Sequence, residues 1–375
     1  MAIRSAIAAI EPYRPGLSVA EVKARSLGLE QVVKLGSNES AFPPPEAALR
    51  AAAQAAMDAN RYPDPWLGEL RAALASVHGV REDQVVPGAG ADELIRLLAA
   101  VTLEPGRSCV FPWPGFPTHA QAALIAGARA VAVATPPDRL DLEALLGAID
   151  ASTSLVCVAT PNNPTGAAAS RQQIEAFLDA LPEKVTCLID EAYFEFADPE
   201  LRAGGGELVA AGRPNVCAIR TFSKAYGLAG FRIGYAVTSP ELADGLNRVR
   251  SMFNASEPAQ AAALAALGAK AQLESRVEHV RAGRQRLTGL LAAAGLRPYP
   301  SQGNFVFAEV PGRAGAADSQ AAAALADDLL RQGVIVRAMG GFGAPGAIRV
   351  TIGMRAEEEL LADALSRARR HNGAA

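Results

Sequence analysis

LVCVATPNNPTGAAASRQQIEAFLDALPEKVTCLID, residues 155–190, decides the architecture. It opens on an apolar, β-branched run, Leu155–Ala159, and crosses a turn-rich loop, Pro161–Gly166. A helical pattern follows over Arg171–Ala180, with Ser170 placed to cap it. The stretch closes on a second apolar run, Val185–Ile189, which ends in Asp190. Strand, helix and strand in that order predict a βαβ unit with its two strands parallel in one sheet. Runs this apolar predict strands covered on both faces.

The alternation extends in both directions. β-Branched runs recur at Ser108–Phe111, Ala130–Ala134, Val216–Arg220 and Ile233–Val237, and helical patterns at Asp92–Val101 and Asp141–Ile149. The expected class is α/β, with a mainly parallel sheet flanked by helices. The chain has 375 residues, and at about 150 residues per domain this suggests two units. Residues 1–40 read as an arm, with Pro12, Pro15 and Gly16 in a turn-like segment and a short helix from about Val19. Residues 41–270 read as the large unit, helical from Glu241 through Ala271. Residues 271–375 read as a smaller α+β unit, with strands near Asn304–Ala308, Val334–Arg337 and Ile348–Ile352. The alanine-rich stretch Ala314–Ala326 reads as loop plus helix.

Composition narrows the function. The 36 basic and 39 acidic residues leave a net charge of -3, which argues against a basic surface for nucleic acid. Residues 108–128 carry no charge, but Pro112, Pro114 and Pro117 punctuate them, so they do not read as a membrane span. The apolar piece Ala6–Ile10 is stopped by Glu11, too soon for a secretion signal, and a cytoplasmic protein is expected. Cys109, Cys157, Cys187 and Cys217 are far apart and sit in strand-like runs, as buried small hydrophobes do. The four histidines do not pair at metal-ligand spacing, so no metal site is expected.

In open α/β sheets, ligands bind beyond the carboxyl ends of the strands, so polar motifs that follow strands are candidates for a site. Thr221-Phe222-Ser223-Lys224 follows one strand, with Gly227, Gly230 and Arg232 downstream. A lysine held there can form a Schiff base with a carbonyl once its surroundings lower its pKa. Ser223, Thr221 and Arg232 can together bind a phosphate. Standing alone, the segment also reads as a turn with an exposed lysine. Asp190 ends another strand, and a carboxylate there needs a cationic partner. A protonated pyridine nitrogen is one such partner; a helix cap is the alternative. Tyr193 and Asn163 lie just beyond strand ends, where they can reach a ring hydroxyl. Pro87-Gly88-Ala89-Gly90-Ala91-Asp92-Glu93 is glycine-rich and opens a helix, whose free N–H groups suit a phosphate.

These motifs, in this order, resemble the fold-type I aminotransferases, and among them the histidinol-phosphate aminotransferases. The resemblance runs over about residues 7 to 369. It is carried by Tyr13–Gly16, Lys34–Glu39, Arg61–Asp64, Pro161–Gly166, Asp190–Phe196, Arg220–Tyr235 and Ile348–Gly353. It implies that Lys224 holds pyridoxal 5'-phosphate covalently and later carries the proton between substrate and cofactor. Asp190 would then pair with the ring nitrogen, and Tyr193 and Asn163 would bond the ring hydroxyl. The backbone of Ala91 and Asp92, with Ser223 and Arg232, would hold the phosphate, supported by Thr221. Phe116 would stack on the ring. Tyr62 would reach the cofactor phosphate of a partner subunit, which implies a homodimer with its active site completed across subunits. Arg337 and Arg349 would bind the substrate phosphate and the carboxylate of a 2-oxo acid, with Tyr13 and Asn38 lining the substrate side.

There are three departures from the family pattern, of which the first and third lie near the substrate entrance in the family. Asn38-Glu39-Ser40-Ala41-Phe42-Pro43 replaces the usual Asn-Glu-Asn-Pro, His119 stands where tyrosine is frequent, and Met252 stands where proline is usual. The resemblance implies transfer of an amine from histidinol phosphate to 2-oxoglutarate in histidine biosynthesis. An aromatic amino acid aminotransferase is the nearest alternative on the same scaffold, and a threonine-phosphate decarboxylase a more distant one.

Overall fold

The computed structural model describes residues 3–8, 10, 12, 16–24, 29 and 31–372. Its strands are β1 (Val33–Lys34), β2 (Val85–Gly88), β3 (Ser108–Trp113), β4 (Arg129–Ala134), β5 (Thr153–Ala159), β6 (Thr186–Asp190) and β7 (Val216–Thr221). Then come β8 (Gly234–Thr238), β9 (Arg297–Pro298), β10 (Phe305–Glu309), β11 (Val334–Ile335), β12 (Arg337–Ala338) and β13 (Ala347–Thr351). Seven of them form the main sheet in the order β2-β8-β7-β6-β5-β3-β4. Only β8 runs against its neighbours. The βαβ unit read from residues 155–190 is present. Its helix spans Arg171–Ala180, and Ser170 and Gln173 cap it reciprocally, each side chain taking the other's backbone N–H.

Register positions the site. Ala159 of β5, Asp190 of β6 and Ile219 of β7 lie level across the sheet. The loops after these three strands therefore leave the same edge together. Helices cover both faces, and the strands between them are almost wholly buried.

The smaller sheet has the order β12-β13-β10-β9. The arm does not stand apart from it: β1 pairs in parallel with β11, and Val33 and Leu35 enter the same apolar cluster as Phe305, Ile348 and Leu361. The Gln302 N–H, shortly before β10, is donated to the Gly166 carbonyl beyond β5 at 2.8 Å.

Three expectations need correction. The glycine-rich stretch Pro87–Glu93 does not only open a helix: its first two residues end β2, a four-residue edge strand, a composition strands tolerate at edges. The stretch 241–271 is not one helical run. Helices Pro240–Val249 and Glu257–Leu267 are separated by a bend that Asn254 holds, its amide bonded to Glu93 at 2.6 Å. Ser239-Pro240 and Ser256-Glu257-Pro258 are N-terminal start signals that mark both helices. The strand expected over Val334–Arg337 is two strands in two sheets, β11 against the arm and β12 against β13. Among the described residues, no helix is long and apolar enough to cross a membrane.

Candidate active site

A cleft of about 360 Å³ opens at the level edge of β5, β6 and β7. Asp190 closes its floor, 5% exposed. One carboxylate oxygen accepts the Ala192 N–H at 3.1 Å, so the turn role and the cleft-facing role coexist. The other oxygen lies 3.4 Å from Nε2 of His119, itself 1% exposed. No lysine or arginine among the described residues forms an ion pair with Asp190. A buried carboxylate so placed is costly unless a cation meets it, which suits a protonated ring nitrogen of a ligand.

Lys224 follows β7 by three residues and lies on the same floor. Its Nζ donates to the Asn38 carbonyl at 3.1 Å and sits 5.6 Å from the Tyr193 ring. Asn38 is held in a left-handed conformation (φ 52°) by Thr351, whose Oγ1 accepts its N–H at 2.9 Å. Its side-chain amide donates to the Tyr193 hydroxyl at 2.9 Å. Burial pushes the Lys224 amine down to about 8, Arg349 and Arg232 push the same way, and Glu39 and Asp190 oppose them. An amine so tuned is a competent nucleophile and base near neutral pH. Acylation of Lys224 in the unliganded protein, followed by peptide mass, should therefore rise with pH through a midpoint near 8. A midpoint near 10.5, the ordinary lysine value, would contradict this environment.

Another part of the cleft gathers groups whose chemistry suits a phosphate. Helix Ala91–Thr102 starts there, and its first amides have no intrahelical partner. Gly90 precedes it at φ 90°, and a Cβ at this position would lie 2.7 Å from the Arg232 guanidinium. Glycine therefore lets the arginine lie against the turn. Ser223 and Thr221 share two hydrogen bonds, at 3.0 and 3.1 Å, that fix both hydroxyls. The Asp92 carboxylate is bonded to Thr118 at 2.6 Å and Arg96 at 2.9 Å, which leaves its backbone to face the cleft.

The walls complete the site. Phe116 begins the helix that carries His119, their rings edge to face at 5.9 Å. Asn163 gives its side-chain oxygen to Arg349, so its NH₂ is the group left to donate into the cleft. Arg349, 4% exposed on β13, also donates to the Gly36 carbonyl at 3.0 Å. Among the residues singled out from sequence, Arg337 lies on β12 opposite Arg349 but outside the cleft lining. Tyr62 is 82% exposed, stacked on Phe253 at 4.5 Å, and away from this cleft. Tyr13 lies outside the described residues. The other twelve share the cleft.

Several residues reach the site without having been assigned a role. His119 was singled out only as a departure, though its spacing from Phe116 places both on one turn of helix. Phe342 lines the cleft from the smaller sheet's side. Asn304, 2% exposed, donates to the Asn38 and Glu39 carbonyls at 3.2 and 3.3 Å and so holds the arm over Lys224. None of the three is marked by a local motif.

A sequence model of the class I and II aminotransferases matches residues 30–365. The chain belongs to that family. The aminotransferase is 43% identical to histidinol-phosphate aminotransferase 1 of Cupriavidus pinatubonensis over 96% of this chain and 95% of that one. It is 42% identical to an aromatic amino acid aminotransferase of Nocardia farcinica over 96% and 95%. A solved histidinol-phosphate aminotransferase of Sinorhizobium meliloti, in complex with pyridoxal-5'-phosphate, superposes on the aminotransferase with a TM-score of 0.89. That pair shares 34% identity, covering 98% of both chains. The aspartate aminotransferase of Thermus thermophilus follows at TM-score 0.84 and 26% identity, over 99% of both chains.

Proposed function

We propose that this aminotransferase uses pyridoxal 5'-phosphate to move an amine from histidinol phosphate to a 2-oxo acid, 2-oxoglutarate in the favoured pairing. The observation that carries the substrate is the pair Arg337 and Arg349, opposed in register on neighbouring strands. Two guanidinium groups on one face of neighbouring strands suit a dianionic phosphate or a carboxylate. Relatives at 39–43% identity named for histidinol phosphate support the reading.

The residues fit the cofactor. Arg232, Ser223 and the amides of Ala91 and Asp92 would hold its phosphate, and Thr221 would steady Ser223. Phe116 would cover one face of the ring, Asp190 would face its nitrogen, and Asn163 and Tyr193 its oxygen. When bound, pyridoxal phosphate supplies an electron-withdrawing ring that stabilises negative charge at the substrate carbon. Lys224 would hold the cofactor and then, as a free amine, take and return the proton at that carbon. Its lowered pKa lets it work in both directions near neutral pH. The Asn38 carbonyl gives the free amine a fixed acceptor. Arg349 would orient the substrate anion so that the proton faces Lys224.

The proposal includes a homodimer. Tyr62, Trp66 and Met252 are exposed apolar side chains; Tyr62 stacks on the half-buried Phe253, and Arg250 lies over Trp66. Exposed apolar patches mark association surfaces, and in the dimer Tyr62 would reach the cofactor phosphate of a second copy. It also places the protein in the cytoplasm, where its four free, buried cysteines stay reduced.

The aromatic alternative is favoured by the Nocardia relative and by the aromatic wall formed by Phe116 and Phe342. A half-reaction separates the two. Holoenzyme without acceptor is mixed with histidinol phosphate or with phenylalanine at equal concentration, and the visible cofactor band is followed. Rapid loss of the band with histidinol phosphate alone is the expected result. Faster loss with phenylalanine transfers the assignment to the aromatic reaction. Release of carbon dioxide without any acceptor would point to a lyase.

A further inference from the structure

We propose that Phe342 determines specificity, its ring holding the guanidinium groups of Arg337 and Arg349 together for one anionic end of the substrate. This rests on the reading of those arginines as anion binders. Arg337 and Arg349 are direct partners across antiparallel strands, so their side chains leave the same face. Like charges placed this way repel. The Phe342 ring is near both, its centroid 5.8 Å from the Arg337 guanidinium carbon and 5.3 Å from that of Arg349; Phe305 also lies 5.3 Å from Arg349, so Phe342 is the ring the two arginines share. Both distances fall within the range where an aromatic ring attracts a cation. One ring thus offsets the repulsion of two charges and brings both to bear on a shared anion.

The ring cannot drift. Phe342 is 2% exposed and its carbonyl accepts the Gly115 N–H at 3.1 Å. Gly343 follows at φ 87°, and a Cβ there would lie 2.1 Å from Nε1 of Trp113. The turn Gly340–Phe342 is therefore seated on the loop that runs from Trp113 to Phe116. Phe116 packs against the same small cluster as Phe342. The aromatic wall of the cofactor cleft and the aromatic support of the two arginines are one assembly. Anion binding and ring stacking are set in register by it.

The role differs from simple packing, because leucine can fill the space but cannot attract a cation. The test uses holoenzyme of wild type, Phe342→Leu and Phe342→Tyr. Calorimetry measures binding of glutarate, a dianion that does not react, and steady-state kinetics measure KM and kcat for histidinol phosphate. Phe342→Leu should weaken glutarate about 10-fold and raise the KM for histidinol phosphate to a similar degree. Phe342→Tyr should restore both within about twofold. Should Phe342→Leu fail to fold, Phe342→Met carries the same expectation. Unchanged glutarate affinity in the leucine variant overturns the proposal, as does a tyrosine variant no better than leucine. A fall in kcat with KM unchanged also overturns it. A wild-type enzyme that ignores histidinol phosphate removes the donor assignment, while the glutarate measurement still decides the role of Phe342.

Discussion

Lys224→Ala should leave a folded protein whose turnover is lower by at least about four orders of magnitude, since in the proposed function one substitution removes both attachment and proton transfer. Among the described residues no other lysine lines the cleft, so nothing there replaces its amine. The fold itself does not need it. Its pKa is depressed in the folded chain, so protonating it costs stability. That cost is absent above the ordinary value of 10.5 and complete below about 8. At pH 7 the alanine variant should therefore unfold at the same temperature as wild type or higher, while the two converge as pH rises through that window. Two measurements check this: turnover with donor and acceptor, and the mass of the borohydride-reduced peptide containing residue 224. Turnover within a hundredfold of wild type would sink the assignment.

Asp190→Asn is the second large effect. The side chain keeps its size and can still bond the Ala192 N–H through its oxygen. What it loses is a buried negative charge at the floor of the cleft. Removing one member of a buried charge pair typically costs 2–5 kcal/mol, so kcat/KM should fall by about 10³-fold in both half-reactions. The fold should persist, because asparagine relieves the cost of burying the carboxylate. Cofactor should still bind through the groups proposed to hold its phosphate. A loss of less than about tenfold would mean that Asp190 is a turn residue and no more.

Much of this was legible in the amino-acid sequence, for physical reasons. The helix Arg171–Ala180 was read to the residue because its start is written in a local capping pair, Ser170 and Gln173. The strands that end at Asp190 and just before Lys224 are apolar runs, and their polar motifs follow immediately. What was missed depends on partners far along the chain. β2 is too short and too rich in proline and glycine to show a period, and it is a strand because β8 pairs with it. Val334–Arg337 has a uniform pattern, yet different partners claim its two ends. His119 meets Asp190 from far along the chain, and Phe342 meets Gly115 from still further. Such residues join a site through packing, which no local spacing encodes.

The pairing of β1 with β11 has a consequence for the order of events during synthesis. Val33 finds its partner strand at Val334, and Asn38 is held by Thr351, 313 positions later. At about 5–20 residues per second, the arm waits on the order of 15–60 s on a translating ribosome before that partner emerges. The sheet that presents Asp190 and Lys224 is complete once β8 has left the tunnel, well before then. A nascent chain thus shows an open cofactor platform first. The carbonyl that receives the Lys224 amine is put in place last, when the two ends of the chain meet.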